Sequence, residues 1–143
     1  MALPTPEPGL VISYAYLWRH EQAVGALEAR KDRPSAIVTA TTDALGDTVV
    51  YVVPITHIDP QDATAILLTP KLKRHLGLDA APSWIVTNEL NRFVWPGYDL
   101  RPIARSQPDT FSWGYLPVEI FARLKRAIAE NAALERIRIV RRD

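Results

Sequence analysis

Two residues of the chain offer what phosphodiester chemistry needs, and each lies within two positions of a proline. Arg33 precedes Pro34, and Thr56 follows Pro54-Ile55. Arginine presents a planar, permanently charged fork that fits phosphate oxygens in pairs. A threonine hydroxyl adds a neutral donor. Pro34 holds Arg33 extended. Pro54 cannot donate to a ladder, so an edge, a strand end or a bulge is expected there. Taken singly, Arg33 reads as an exposed cation and Thr56 as an ordinary strand residue, because β-branched side chains favour strands. Their expected convergence is what raises the chemical reading above these bland ones.

A hairpin is the element that must bring them together. Two β-rich runs, residues 32–38 and 49–57, flank the polar break Asp43-Ala44-Leu45-Gly46, the pattern of an antiparallel hairpin. With those four residues as the loop, Thr42 faces Asp47. The same register carried back sets Arg33 across from Thr56, at the end away from the turn. A bulge would move this pairing by one residue. Residues 49–53 are apolar on both faces, as in a strand buried mid-sheet.

Other chemistries find little support. His20, His57 and His75 lack paired ligand spacing, and no His-Glu-x-x-His motif occurs, so no metal site is expected. With no cysteine, disulfide and thiolate chemistry are excluded. There is no Gly-x-Ser-x-Gly elbow, and the six glycines are isolated, so no phosphate loop is formed. A net charge of +1 is not the signature of a nucleic-acid binder. The basic excess lies at the C-terminus: residues 117–143 carry net +3 and the remainder net −2. A solvated terminal face is the expected reading of Arg136, Arg138, Arg141 and Arg142.

The 143 residues suit one domain with a substantial core. Residues 1–8, with three prolines, read as a flexible arm. Residues 9–16 read as a strand with Leu10, Ile12, Tyr14 and Tyr16 on one face, and residues 19–32 as a loop with a short helix. After the hairpin, residues 59–62 turn the chain and 65–69 return as a strand. Residues 70–78 form a helical turn or two, ended by Gly77. A strand is expected over 84–87, a connecting segment over 88–95 and a further strand over 101–105. Residues 111–116 lead into a helix from Pro117 to about Leu134, with Pro117 at its first position and Val118, Phe121, Leu124 and Ile128 as its apolar stripe. Residues 136–143 read as a basic tail. The expected fold is mainly β, a small, strongly bent antiparallel sheet or barrel with a C-terminal helix. No leading apolar segment or membrane span is expected, and the cytoplasm is the expected compartment.

A family resemblance rests on four pieces in order: Gly9-Leu-Val-Ile-Ser-Tyr, His20-Glu21-Gln22-Ala23, Arg33-Pro34-Ser35-Ala36-Ile37-Val38 and Val53-Pro54-Ile55-Thr56. Together with Leu116-Pro117-Val118-Glu119 they resemble the MazF/PemK toxins of bacterial toxin–antitoxin pairs, over roughly residues 9–130. The resemblance implies an SH3-like barrel over 9–135, a homodimer and a metal-independent, cofactor-free ribonuclease acting on single-stranded RNA. It also implies a cognate antitoxin as partner and no membrane association. The family's catalytic arginine and threonine fall on Arg33 and Thr56. Its acidic loop residue falls on Glu21 by neighbours or on Glu28 by spacing, because twelve residues separate Glu21 from Arg33. Glu21, Gln22 and His57 are the expected substrate contacts. His57 is also a candidate for proton transfer, the common work of imidazole, although strand alternation points it away from Thr56. Tyr14, Tyr16 and Trp18 are candidates for base stacking or for core packing. Two other readings stand beside the nuclease: a catalytically silent SH3-like protein-binding module, and a toxin of the CcdB kind that inhibits a topoisomerase.

Overall fold

The polar break at Asp43 is built as a turn. Asp43 Oδ1 accepts the backbone N–H groups of Leu45 and Asp47 at 2.9 and 3.0 Å, and Gly46 takes φ +85°, a conformation that costs glycine little. The computed structural model, which describes residues 3–23 and 32–142, builds a bent sheet around this hairpin. In chain order its elements are β1 (Leu10–Tyr14), α1 (Arg19–Ala23), β2 (Arg33–Thr42), β3 (Thr48–Thr56), β4 (Ile66–Leu67), α2 (Pro70–Leu76), β5 (Trp84–Ile85), β6 (Glu89–Val94), β7 (Ser112–Tyr115), α3 (Val118–Ala133) and β8 (Arg138–Arg141). The strands run in the order β4-β5-β3-β2-β1-β7, with β6 on β3 and β8 on β6. Among the described residues all strand pairings are antiparallel except β6 with β8. The fold is thus mainly β, a small curled barrel with a late helix, as the sequence predicts.

At the turn the register differs by one residue from expectation, since Thr42 opposes Thr48 rather than Asp47. A bulge between Ile37 and Thr39 then restores the expected pairing, and Ser35 opposes Pro54. Arg33 and Thr56 each lie two residues further along. The irregularity expected at Pro54 is a change of partner. β3 pairs with β6 over Val49–Val52 and with β5 over Ile55 and Thr56. Proline falls between the two ladders, where its missing N–H removes no ladder bond.

β3 is buried on both faces as expected, because a hydrophobic cluster covers each. Val53 and Ile55 pack with Val11, Ala36, Leu68 and Leu124, whereas Val50 and Val52 pack with Ile12, Ile37, Tyr14 and Tyr16. α3 closes the first cluster through fully buried Leu124, with Phe121 and Ile128 beside it. Val118, expected on that stripe, is 81% exposed. Pro117 occupies the N-cap position, one residue before the helix proper.

Four segments depart from expectation. The connecting segment over 88–95 contains β6, whose fully buried Asn91 holds both backbone polar groups of Leu17 at 2.8 and 2.9 Å. A polar residue inside the strand hides it from a hydrophobic pattern. Residues 112–115, read as a lead-in, form β7 at the edge of β1. No strand forms over 101–105; this stretch lies beside β1, joined through Arg101 N–H to Ser13 O at 2.8 Å. The basic segment after α3 contains β8, which anchors buried Val140 in parallel with β6, so it extends the sheet. Glu7 of the N-terminal arm accepts from the Tyr115 hydroxyl. Among the described residues no helix is long and apolar enough to cross a membrane.

Candidate active site

Arg33 opens β2 and Thr56 closes β3, so the hairpin's open end presents both at one end of two central strands. They line a common cavity of about 520 Å³ together with Trp18, His20, Glu21, Ile58, Pro60, Val86 and Asn88. The Arg33 guanidinium lies over the Trp18 ring, 5.2 Å from its centroid, a cation–π contact that fixes the fork without using its donors. Trp18 in turn lies near-parallel to His20, with centroids 6.1 Å apart. The Arg33 Nε is buried and has no hydrogen-bond partner among the described residues. Burial lowers the Arg33 pKa, and the charge of Glu21 opposes that shift. A guanidinium stays charged in such a setting, so Arg33 is a half-buried cation with unused donor capacity.

Thr56 is buried, and its Oγ1 accepts the Ile58 N–H at 3.2 Å. That bond engages a lone pair and leaves the hydroxyl proton to be donated into the cavity. Glu21 is the third residue of α1, and its Oε1 accepts the Trp18 backbone N–H at 3.0 Å. This is half of a capping box, a carboxylate reaching back to the residue before the helix. Glu21 therefore holds Trp18 in place while lining the same cavity as Arg33 and Thr56. The backbone of Gln22 lies in α1; its side chain, like all of Glu28, lies outside the described residues.

His57 does not share this cavity. Strand alternation turns it to the other side of Arg33, where a cavity of about 500 Å³ is lined by Arg33, Pro34, His57, Lys73, Asp79 and Trp113 among others. There His57 Nε2 lies 3.1 Å from Asp79. Lys73, buried on α2, donates to Asp79 Oδ1 at 2.8 Å, to Ser83 Oγ at 2.6 Å and to the Ala81 carbonyl. Those three bonds use all the protons of the ammonium. The hydrogen bond from Lys73 is the main reason the Asp79 carboxyl is held below its ordinary range. Trp113 also lines this side, with its indole Nε1 buried and without a partner among the described residues. A third cavity of about 390 Å³, lined by Arg33, Pro34, Trp113, Pro102 and Arg105 among others, continues the depression. Arg33 is thus a wall common to three cavities.

Of the expected site residues, the structure brings Arg33, Thr56 and Glu21 together and sets His57 apart. No protein-family model matches the chain, and no curated protein matches it in sequence. Of the three aromatic candidates, Tyr14 and Tyr16 are fully buried in the second cluster, and Trp18 alone reaches the cavity. Sequence reasoning did not place His20, Val86 and Asn88 at the site, because they approach it from separate elements with no shared spacing. Lys73 was also missed, since a lone lysine in a short helix reads as exposed. Among the described residues no group of three His, Asp or Glu side chains is arranged to hold a metal ion.

Proposed function

We propose that the chain is a metal-independent endoribonuclease of the toxin type, cutting single-stranded RNA at the cavity shared by Arg33 and Thr56. The observation that carries this reading is the half-buried Arg33 guanidinium, held over Trp18 with no ion pair among the described residues, lining one cavity with a Thr56 hydroxyl that accepts from Ile58 and donates to no described residue. A phosphate is the ligand that uses a guanidinium fork and a hydroxyl donor together. The near-parallel Trp18 and His20 rings give the adjoining base an aromatic surface.

In the proposed reaction the RNA 2′-oxygen attacks the adjacent phosphorus and the bond to the 5′-oxygen breaks. The products are a 2′,3′-cyclic phosphate and a free 5′-hydroxyl. Arg33 stabilises the charge that builds on the pentacoordinate phosphorane, in a partly desolvated setting where such a donor acts most strongly. Thr56 donates to a non-bridging oxygen and orients the phosphate. Glu21, the one carboxylate among the described residues lining this cavity, accepts the proton of the 2′-hydroxyl through the oxygen not bonded to Trp18. The leaving 5′-oxygen takes its proton from solvent. Homodimer formation, neutralisation by a cognate antitoxin and a cytoplasmic site of action belong to the same proposal.

The test is incubation of the pure protein with a long single-stranded RNA in EDTA, followed by analysis of the ends. Cyclic phosphate and 5′-hydroxyl termini are expected. Termini of the opposite kind, or cleavage that EDTA abolishes, would sink the mechanism. A protein that cuts no RNA is better read as the silent binding module or the topoisomerase inhibitor.

A further inference from the structure

Next to the Arg33–Thr56 cavity, and sharing His20 and Asn88 with it, lies a depression of about 320 Å³ whose other lining residues are Arg19, Glu89, Arg136 and Arg138. Three arginines thus line a space that adjoins the proposed RNA site. We propose that Arg19, Arg136 and Arg138 form a phosphate subsite that holds the RNA backbone beside the cleavage position. The inference rests on reading the neighbouring cavity as an RNA site.

Separate parts of the fold hold the three arginines in place. Arg19 opens α1. The end of α3 turns through Glu135 at φ +57°, and Arg136 N–H then donates to Asn131 O at 2.8 Å. Arg138 starts β8 opposite Glu89, and its N–H donates to Asn88 O at 2.9 Å. Among the described residues, none of the three forms an ion pair with a carboxylate within 4.0 Å.

The nearby acids are turned to other tasks. Glu89 Oε2 accepts the Tyr16 hydroxyl and the Arg19 backbone N–H, both at 3.1 Å, and burial raises its carboxyl pKa. Asp62 accepts from Thr64 and, at 2.8 Å, from the Asn88 side chain. Arg19 lies close enough to lower the Glu89 carboxyl pKa and Arg136 close enough to lower that of Asp62. Neither guanidinium is in contact with its carboxylate, so the guanidinium donors stay open to an anion from outside. The shared wall at His20 and Asn88 makes that anion part of the same strand that reaches Arg33. This assigns a task to the C-terminal arginines, which composition alone reads as a solvated face.

The experiment measures binding of a long single-stranded RNA, 2′-O-methylated throughout so that it cannot be cut, over a series of salt concentrations. Arg136→Gln/Arg138→Gln is compared with Arg141→Gln, an exposed arginine of β8 outside the depression. The double variant is expected to bind about tenfold more weakly, as loss of charge-assisted contacts implies. Its salt slope should fall by about 0.7 for each phosphate contact removed from a single strand. Arg141→Gln should bind as wild type does, and a dinucleotide should bind equally to all three proteins. Equal affinities and slopes for the double variant and Arg141→Gln would overturn the subsite. If the double variant melts early, Arg136→Gln alone, outside β8, carries the same comparison. Wild-type protein that binds RNA through these arginines yet cuts none sinks the nuclease reading and leaves the subsite standing. Wild-type protein that binds no RNA sinks both.

Discussion

On one side of Arg33, Thr56 accepts a bond from Ile58 and keeps its proton, while the guanidinium leaves Nε unpartnered over Trp18. On the other side, His57, Asp79, Lys73 and Ser83 bond chiefly to one another, and Trp113 keeps the only unspent buried donor among them. The two cavities are of similar size, about 520 and 500 Å³, so volume does not distinguish them. Hydrogen-bond capacity does. A polar group satisfied within the protein holds the fold, whereas one left unsatisfied at a cavity wall is available to a ligand and costs stability until it finds one. On this physical ground we propose the Thr56 side for chemistry and the Lys73 side for structure.

The largest expected effect comes from removing Arg33. Arg33→Ala should lower the RNA cleavage rate by a factor of about 10² to 10³, the usual cost of losing one preorganised donor to transition-state charge. Its melting temperature should change little, because the side chain is only half-buried and its Nε bonds to no described residue. Arg33→Lys should remain severely impaired, since a point charge does not reproduce the fork. A wild-type rate in Arg33→Ala would erase the proposed difference between the two sides. Thr56→Ala should follow closely in cleavage rate, with a modest stability loss from the freed Ile58 N–H, about 1 kcal/mol. Thr56→Ser, which keeps the hydroxyl, should retain most activity. An equally dead serine variant would mean that the methyl group rather than the proton matters.

Lys73→Met turns the comparison around. It should cost about 1–3 kcal/mol of unfolding free energy, because it strips partners from Ser83 and the Ala81 carbonyl around a buried stem. The cleavage rate per folded molecule should hold. Urea denaturation beside the cleavage assay separates the two quantities. The same variant has a pH signature. Asp79 is held below its ordinary range chiefly by Lys73, so its contribution to stability is present above the unfolded carboxylate value and lost as pH falls through the lower folded value. Wild-type melting temperature should therefore fall more steeply than that of Lys73→Met on acidification below about pH 4. Parallel acid profiles would remove Lys73 as the cause. The smallest effect is expected from His57→Gln, which should alter cleavage less than about twofold, since Thr56 and His57 face opposite sides of the strand. A large rate loss there would make the second cavity part of the reaction.

Much of this fold was legible in the chain because the signals are local. Alternating apolar residues mark β1 and the hairpin, and the Asp43 turn carries its own side-chain acceptor. Thr69, Pro70 and Gly77 bracket α2, with Thr69 Oγ1 accepting the Leu72 N–H and Gly77 at φ +72°. The failures have a common cause as well. β6 contains a buried asparagine whose partner is the backbone of Leu17, 74 residues away. β8 is a short strand whose parallel partner lies on the far side of α3. Val118 fits the helical period yet lies exposed, while Ile120 and Phe121 in the same turn pack on the core.

Local signals along the chain decide which two residues stand at the open end of the hairpin. Side-chain period, turn chemistry and two prolines specify that end, and the bulge at position 38 offsets the one-residue difference at the turn. Tertiary structure alone decided what surrounds them. Trp18 and Glu21 come from α1, Val86 and Asn88 from beside β5, and Arg136 and Arg138 from the far end of α3. Their meeting depends on the curl of the sheet and on buried contacts such as Asn91 with Leu17 and Asn131 with Thr87. Those contacts join residues distant in the chain, so no local spacing records them.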